Sequence, residues 1–99
     1  MTVADNRDEG RFEVFADGEF AGAAYYRVEG DAIAFTHTEV DDAYEGQGIG
    51  SKLAAAALDE VRQRGQGVRP YCPFIRGYIQ RHPEYLDLVP EDQRGRFGL

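Results

Sequence analysis

The sequence predicts an α/β domain: an antiparallel three-strand meander, a glycine-rich turn, a helix, a short parallel strand and a closing helix. Three observations carry this. Apolar and polar residues alternate between positions 11 and 40, broken by Asp17-Gly18 and by Glu29-Gly30-Asp31. Ile49, Leu53, Ala57 and Val61 then recur at four-residue intervals, which is a helical period. Between the two patterns stand Gly46, Gly48 and Gly50, too many glycines for the interior of either element.

Taken in order, residues 1–10 are polar and unpatterned and are expected to be a flexible tail. Phe12 and Val14 alternate with Arg11 and Glu13 as a first strand, and Asp17-Gly18 is a two-residue hairpin turn. The second strand puts Phe20, Gly22, Ala24, Tyr26 and Val28 on one face and Ala21, Ala23, Tyr25 and Arg27 on the other. The third, Ala32 to Val40, gathers Ile33, Phe35, His37 and Glu39 on a common face. The helix after the glycines should end near Arg64-Gly65. Val68 to Tyr71 returns as a strand, and the strand–helix–strand crossover makes it parallel to the third. Pro73 opens a last helix carrying Ile75, Tyr78 and Ile79, which Pro83 stops after His82. The domain is expected to span residues 11–90, with residues 91–99 a second flexible tail.

Ninety-nine residues suffice for one core and no second domain. The longest apolar run, Leu53 to Leu58, falls far short of the ~20 residues that span a bilayer. The acidic N-terminus also lacks the basic-then-apolar signature of a signal peptide. A soluble, cytoplasmic protein without membrane partners is the expectation. Cys72 is the sole cysteine, which excludes an intrachain disulfide and a multi-cysteine zinc site, and His37 and His82 are too few to argue for a metal. Charge is uneven: residues 1–45 hold 12 acidic and 3 basic side chains, residues 46–99 hold 6 and 8, within a net charge of −7. The acidic half should repel nucleic acid and attract cations. The other half, with Lys52, Arg62, Arg64, Arg69, Arg76 and Arg81, contains the glycines and could face a polyanion.

Glycines ahead of a helix collect unpaired N–H groups at the positive end of its dipole, where an anion binds and no Cβ blocks its approach. The spacing decides against two common phosphate ligands. A dinucleotide fingerprint needs G-x-G-x-x-G after a first strand, and the nucleotide P-loop needs G-x-x-x-x-G-K-[ST]; Gly46-Gln47-Gly48-Ile49-Gly50-Ser51-Lys52 is neither. The loop resembles the acyl-CoA loop of the GNAT acetyltransferase superfamily, [Q/R]-x-x-G-x-[G/A], with Glu45 where that family has Arg or Gln. Phe35-Thr36-His37-Thr38-Glu39-Val40, Pro70-Tyr71-Cys72-Pro73-Phe74 and the stretch from Tyr78 to Tyr85 are similar to the small single-domain GNAT-related proteins, over residues 11–88. The resemblance implies a GNAT-like fold that takes acetyl-CoA as donor, without a metal. The acceptor it implies is an amine: protein lysine, polyamine or small amine. It further implies that the backbone of Thr38, Glu39 and Val40 pairs with the pantetheine amides. Gly46, Gln47, Gly48, Ile49, Gly50 and Ser51 would donate N–H groups to the pyrophosphate. Two rival expectations are a non-catalytic acyl-CoA-binding module and an interaction protein using its acidic face.

Three side chains are candidates for the chemistry. Cys72 stands at the C-terminal end of the parallel strand, where ligands bind in open α/β sheets, and is either a nucleophile or a pocket-lining thiol. Tyr78, by resemblance, occupies the region of a general acid near the CoA sulfur, with core packing as the alternative. His37 is a possible base, although a face shared with Ile33 and Phe35 suits a core histidine better. Glu39 is a weaker base candidate, and His82 is expected to pack at a helix end.

Overall fold

Asp17 and Gly18 both take positive φ, 53° and 81°, so the chain reverses in two residues and the strands on either side pair at once. In the computed structural model, which describes residues 1–44 and 46–99, these strands are β2 (Arg11–Ala16) and β3 (Glu19–Glu29). Gly30, at φ 61°, turns β3 into β4 (Ala32–Val40). Helix α1 (Ile49–Gln63) crosses back to β5 (Gly67–Pro70), which runs parallel to β4, and α2 (Pro73–Arg81) follows. With β1 (Thr2–Asn6) the sheet has five strands in sequence order, antiparallel from β1 to β4. The predicted α/β architecture is therefore present, with one strand more than expected. No helix among the described residues is long and apolar enough to cross a membrane.

The predicted stripe of α1 is its buried face: Ile49, Leu53, Ala54, Ala57, Leu58 and Val61 lie against Phe12, Val14, Ala24, Ile33 and Phe35 of the sheet. Ile75, Tyr78 and Ile79 of α2 enter the same core. Small alanines on α1 and β3 let helix and sheet approach closely. The helix stops in a Schellman turn: Gly65, at φ 71°, donates to the Arg62 carbonyl and Gln66 to that of Val61.

Residues 1–10, expected to be a tail, contribute β1, which pairs with β2 from Thr2↔Phe15 to Asn6↔Arg11. Asp5 anchors it, accepting from the Tyr26 hydroxyl and from Arg64 Nη2 at 2.9 Å. Residues 91–99 also fold back in two short 3-10 turns. Phe97 is buried edge-on against Tyr71, with ring centroids 5.2 Å apart, and Gln80 Nε2 donates to the Gly98 carbonyl.

Two bulges change which side chains face the core. Opposite Val14 and Phe15, β3 carries an extra residue, Ala21, which joins Ala24 and Tyr26 in the core and leaves Phe20 39% exposed. Opposite Tyr25 and Tyr26, β4 carries an extra residue, Thr36. Because side chains alternate strictly, one inserted residue moves everything after it to the other face. The expected common face of Ile33, Phe35, His37 and Glu39 is thus broken: Ile33 and Phe35 are buried, whereas His37 and Glu39 are exposed.

Candidate functional site: a splayed strand edge beside the glycine turn

Parallel pairing of β4 with β5 runs only from Ala32↔Gly67 to Phe35↔Pro70. A last bond joins the Cys72 N–H to the Phe35 carbonyl at 2.9 Å, after which β5 gives way to α2 while β4 continues to Val40. On its other side β4 stays paired with β3. The Asp41 N–H donates to the Ala21 carbonyl at 2.8 Å, and antiparallel alternation then directs the main-chain groups of His37 and Glu39 to β3 as well. Gly22 has to be bare, because a Cβ there would stand 2.7 Å from the Glu39 carbonyl oxygen. The N–H and C=O of Thr38 and Val40 therefore point into the splay between β4 and α2. Of the three residues expected to pair with a ligand, Thr38 and Val40 direct their main-chain groups away from β3, and Glu39 directs its own to Ala23.

The bulge also turns the Thr38 side chain toward α2. Its Oγ1 lies 3.2 Å from Sγ of Cys72, the residue preceding α2, which is 2% exposed. At the far end of the splay is the glycine turn. Gly48, at φ 74°, precedes α1 without a side-chain cap, and the first helical bond runs from the Lys52 N–H to its carbonyl at 3.0 Å. The amides of Ile49, Gly50 and Ser51 come before that bond and have no acceptor within the helix. No acidic residue occupies the first turn of α1. The Gln47 N–H instead reaches the Tyr44 carbonyl at 3.4 Å. Val40, Tyr44, Gly46, Gly48, Gly50 and Phe74 surround a hollow of about 230 Å³ here. Glu45, where the related loops carry Arg or Gln, lies outside the described residues.

A larger hollow, about 480 Å³, opens beside Arg64 and Gly65 past the other end of α1. Two of its walls, Arg7 and Arg64, are already engaged with Asp5. At the smaller hollow, amides that have no acceptor within α1 meet an open strand edge.

The other candidates fall in separate places. His37 projects from the sheet face beside Glu39 (Nε2 to Oε2, 3.4 Å) and the Tyr25 ring, and Tyr25 donates its hydroxyl to Glu39 Oε1 at 3.1 Å. Tyr78 is buried in α2, with its ring stacked on His82 at 4.1 Å and beside Tyr85. Burial, then the negative charges of Glu84 and Asp59, push its phenol up from the ordinary tyrosine value. Tyr85, hydrogen-bonded to Asp59, is pushed up to about 12, first by burial. Three of the cations expected near the loop are engaged elsewhere: Arg62 with Asp87, Arg64 with Asp5 and Glu60, and Arg69 with Glu29. Lys52, in the first turn of α1, is the cation next to the loop in the chain.

The sequence reading missed two features of this site. The Thr38 hydroxyl was hidden by a bulge that no Gly or Pro marks. Phe74, read only as part of a resemblance, forms a wall of the hollow, and the apolar residue following Pro73 was the available signal.

A five-strand mixed sheet splayed at β4 and β5, with a glycine turn leading into α1, defines the class of the fold as α/β. The chain belongs to the GCN5-related N-acetyl-transferase family, whose sequence profile matches residues 11–88. It is 35% identical over 91 residues to Protein NATD1 of Mus musculus, covering 88% of this chain and 83% of that one. The NATD1 protein of Danio rerio is 28% identical over 93 residues, covering 90% and 84%. Among solved structures, a GCN5-like putative N-acetyltransferase from Staphylococcus aureus superposes with a TM-score of 0.68 at 24% identity, over 89% of this chain and 86% of its own. An alanine N-acetyltransferase acting on a ribosomal protein, from Escherichia coli, superposes with a TM-score of 0.55 at 29% identity, over 59% and 38%.

Proposed function

We propose that this protein binds acetyl-CoA along the splay and transfers its acetyl group to an amine. The observation that carries the reading is continuity: the open main-chain edge of Thr38 and Val40 leads directly into the hollow rimmed by the amides of the glycine turn. A diphosphate suits those amides, and a chain containing two secondary amides suits an unpaired strand edge. The thioester then lies toward Thr38 and Cys72. In direct transfer the amine nitrogen attacks the thioester carbonyl, the C–S bond breaks, and the thiolate leaves with a proton supplied to it while the amine loses its own. Of the candidates for the two proton transfers, His37 with Glu39 lies on the sheet face opposite Thr38 and is the weaker one as base, whereas Tyr78 on α2 remains the candidate acid. Among the described residues the hydrogen-bond partner of the buried Cys72 thiol is the Thr38 hydroxyl, which is not a base, and this supports a lining role over a covalent one.

The test is a thermal-shift titration with acetyl-CoA, CoA, ATP and NAD, followed by a thiol-release screen over lysine peptides, polyamines and small amines. A ligand at about 100 times its Kd stabilises the fold by about 2.7 kcal/mol, so the CoA forms should raise the midpoint by ~10–20 °C and the other two far less. No shift at millimolar acetyl-CoA overturns the donor assignment. A shift without thiol release from any amine reduces the protein to an acyl-CoA binder.

A further inference from the structure

Four large apolar side chains stand half exposed, and among the described residues Phe74 alone of these lines the hollow at the glycine turn. Its position has a specific cause. Pro73 starts α2, so Phe74 falls in the first turn of that helix and reaches across the splay to α1. There it rests on Gly50: a Cβ at that residue would stand 2.6 Å from Cζ of the ring and 3.2 Å from Cε1. Among the described residues nothing lies within 4 Å of such a Cβ at Gly48, so the two glycines serve different ends. Gly48 supplies the left-handed turn, and Gly50 supplies a seat for the ring. A 36%-exposed phenylalanine on a bare glycine is an apolar surface turned toward the ligand path, in a hollow whose other walls are Val40, Tyr44 and the glycine turn.

We infer that Phe74 is a recognition residue for the aliphatic part of the donor. The branched carbon chain between the diphosphate and the first amide packs on its ring, while the amides of the turn hold the phosphates. This rests on the acetyl-CoA reading and adds a division of labour to it: phosphate affinity resides in the main chain, and chain affinity in one aromatic side chain.

The experiment measures binding of CoA and of adenosine 3′,5′-bisphosphate, which has phosphates but no pantetheine chain, to the parent, Phe74→Ala and Phe74→Leu. Loss of the ring contact should weaken CoA about tenfold in Phe74→Ala, equivalent to about 1.4 kcal/mol. The bisphosphate should change less than about twofold, and Phe74→Leu should restore CoA to within about threefold of the parent. A merely structural ring would weaken both ligands together. Equal losses for the two ligands, or parent-like CoA affinity in Phe74→Ala, overturn the inference while leaving the donor assignment intact. A parent that binds the bisphosphate but gains nothing from the pantetheine chain overturns it as well. A parent that binds neither overturns the donor assignment, and this inference with it.

Discussion

Replacing Gly48 by Asp and, separately, by Asn isolates the anion site, because the two side chains share shape and tolerance of left-handed backbone but differ by one charge. At φ 74°, and with nothing among the described residues within 4 Å of an added Cβ, either residue has room. In the free protein the aspartate faces the uncapped start of α1, where a negative charge is favourable by ~0.3–1 kcal/mol. The Asp variant should therefore melt above the Asn variant by ~2–6 °C for a domain of this size. With ligand the sign reverses. A carboxylate ~4 Å from a diphosphate oxygen, at an effective dielectric of ~20, costs ~4 kcal/mol, which screening at the open rim reduces to about a hundredfold in Kd. Calorimetric titration with acetyl-CoA, together with melting curves of the free variants, reads both effects. Equal acetyl-CoA affinity in the Asp and Asn variants would refute the placement of the anion at these amides.

Incubation of the protein with acetyl-CoA and no acceptor should leave Cys72 unmodified by mass spectrometry, and Cys72→Ala should retain most of its turnover. A gain of about 42 Da on Cys72 that chases onto an amine would establish the covalent route instead. Tyr78→Phe should slow acetyl transfer by about a hundredfold or more with little change in CoA affinity if the phenol protonates the thiolate, and parent-like turnover would make it a core residue only. Tyr26 and Tyr85 are both pushed up to about 12, mainly by burial and then by Asp5 and Asp59. Their folded values lie above the unfolded value, so their stabilisation is complete below about pH 10 and is lost as pH rises toward 12. Asp87 and Glu29, held below the usual carboxylate range by Arg62 and by Arg69 with Arg27, have the opposite sign, and their contribution disappears as pH falls below about 4. Melting curves across pH should accordingly show a plateau between these limits, and a midpoint rising from pH 8 to 11 would contradict the assignment.

Local chemistry was legible wherever the cause of a structure lies within a few residues of it. Asp17-Gly18, Gly30 and Gly65 mark turns because positive φ suits them, and the turn glycine Gly48 does the same before α1. The stripe Ile49, Leu53, Ala57, Val61 is the buried face of α1 because helical period and burial coincide. The parallel course of β5 followed from the handedness of crossovers.

What the sequence could not reveal depended on partners distant along the chain. Arg62, Arg64 and Arg69 looked free to meet a polyanion until Asp87, Asp5 and Glu29 were brought beside them. Residues 1–10 looked like a tail because β1 has meaning only against β2, with Asp5 held by Arg64, and Phe97 looked detached until Tyr71 lay under it. The bulge at Thr36 had the largest consequence. Alternation alone placed His37 with Phe35, but one extra residue opposite Tyr25 and Tyr26 exposed His37 and turned Thr38 onto Cys72. By itself the sequence determined the elements between residues 11 and 82, their order and the glycine turn, because backbone preference and hydrophobic period act locally. Tertiary structure alone decided which face each side chain of β4 took and that Gly50 lies bare beneath Phe74, because register and packing are set by residues that meet only once the chain is folded.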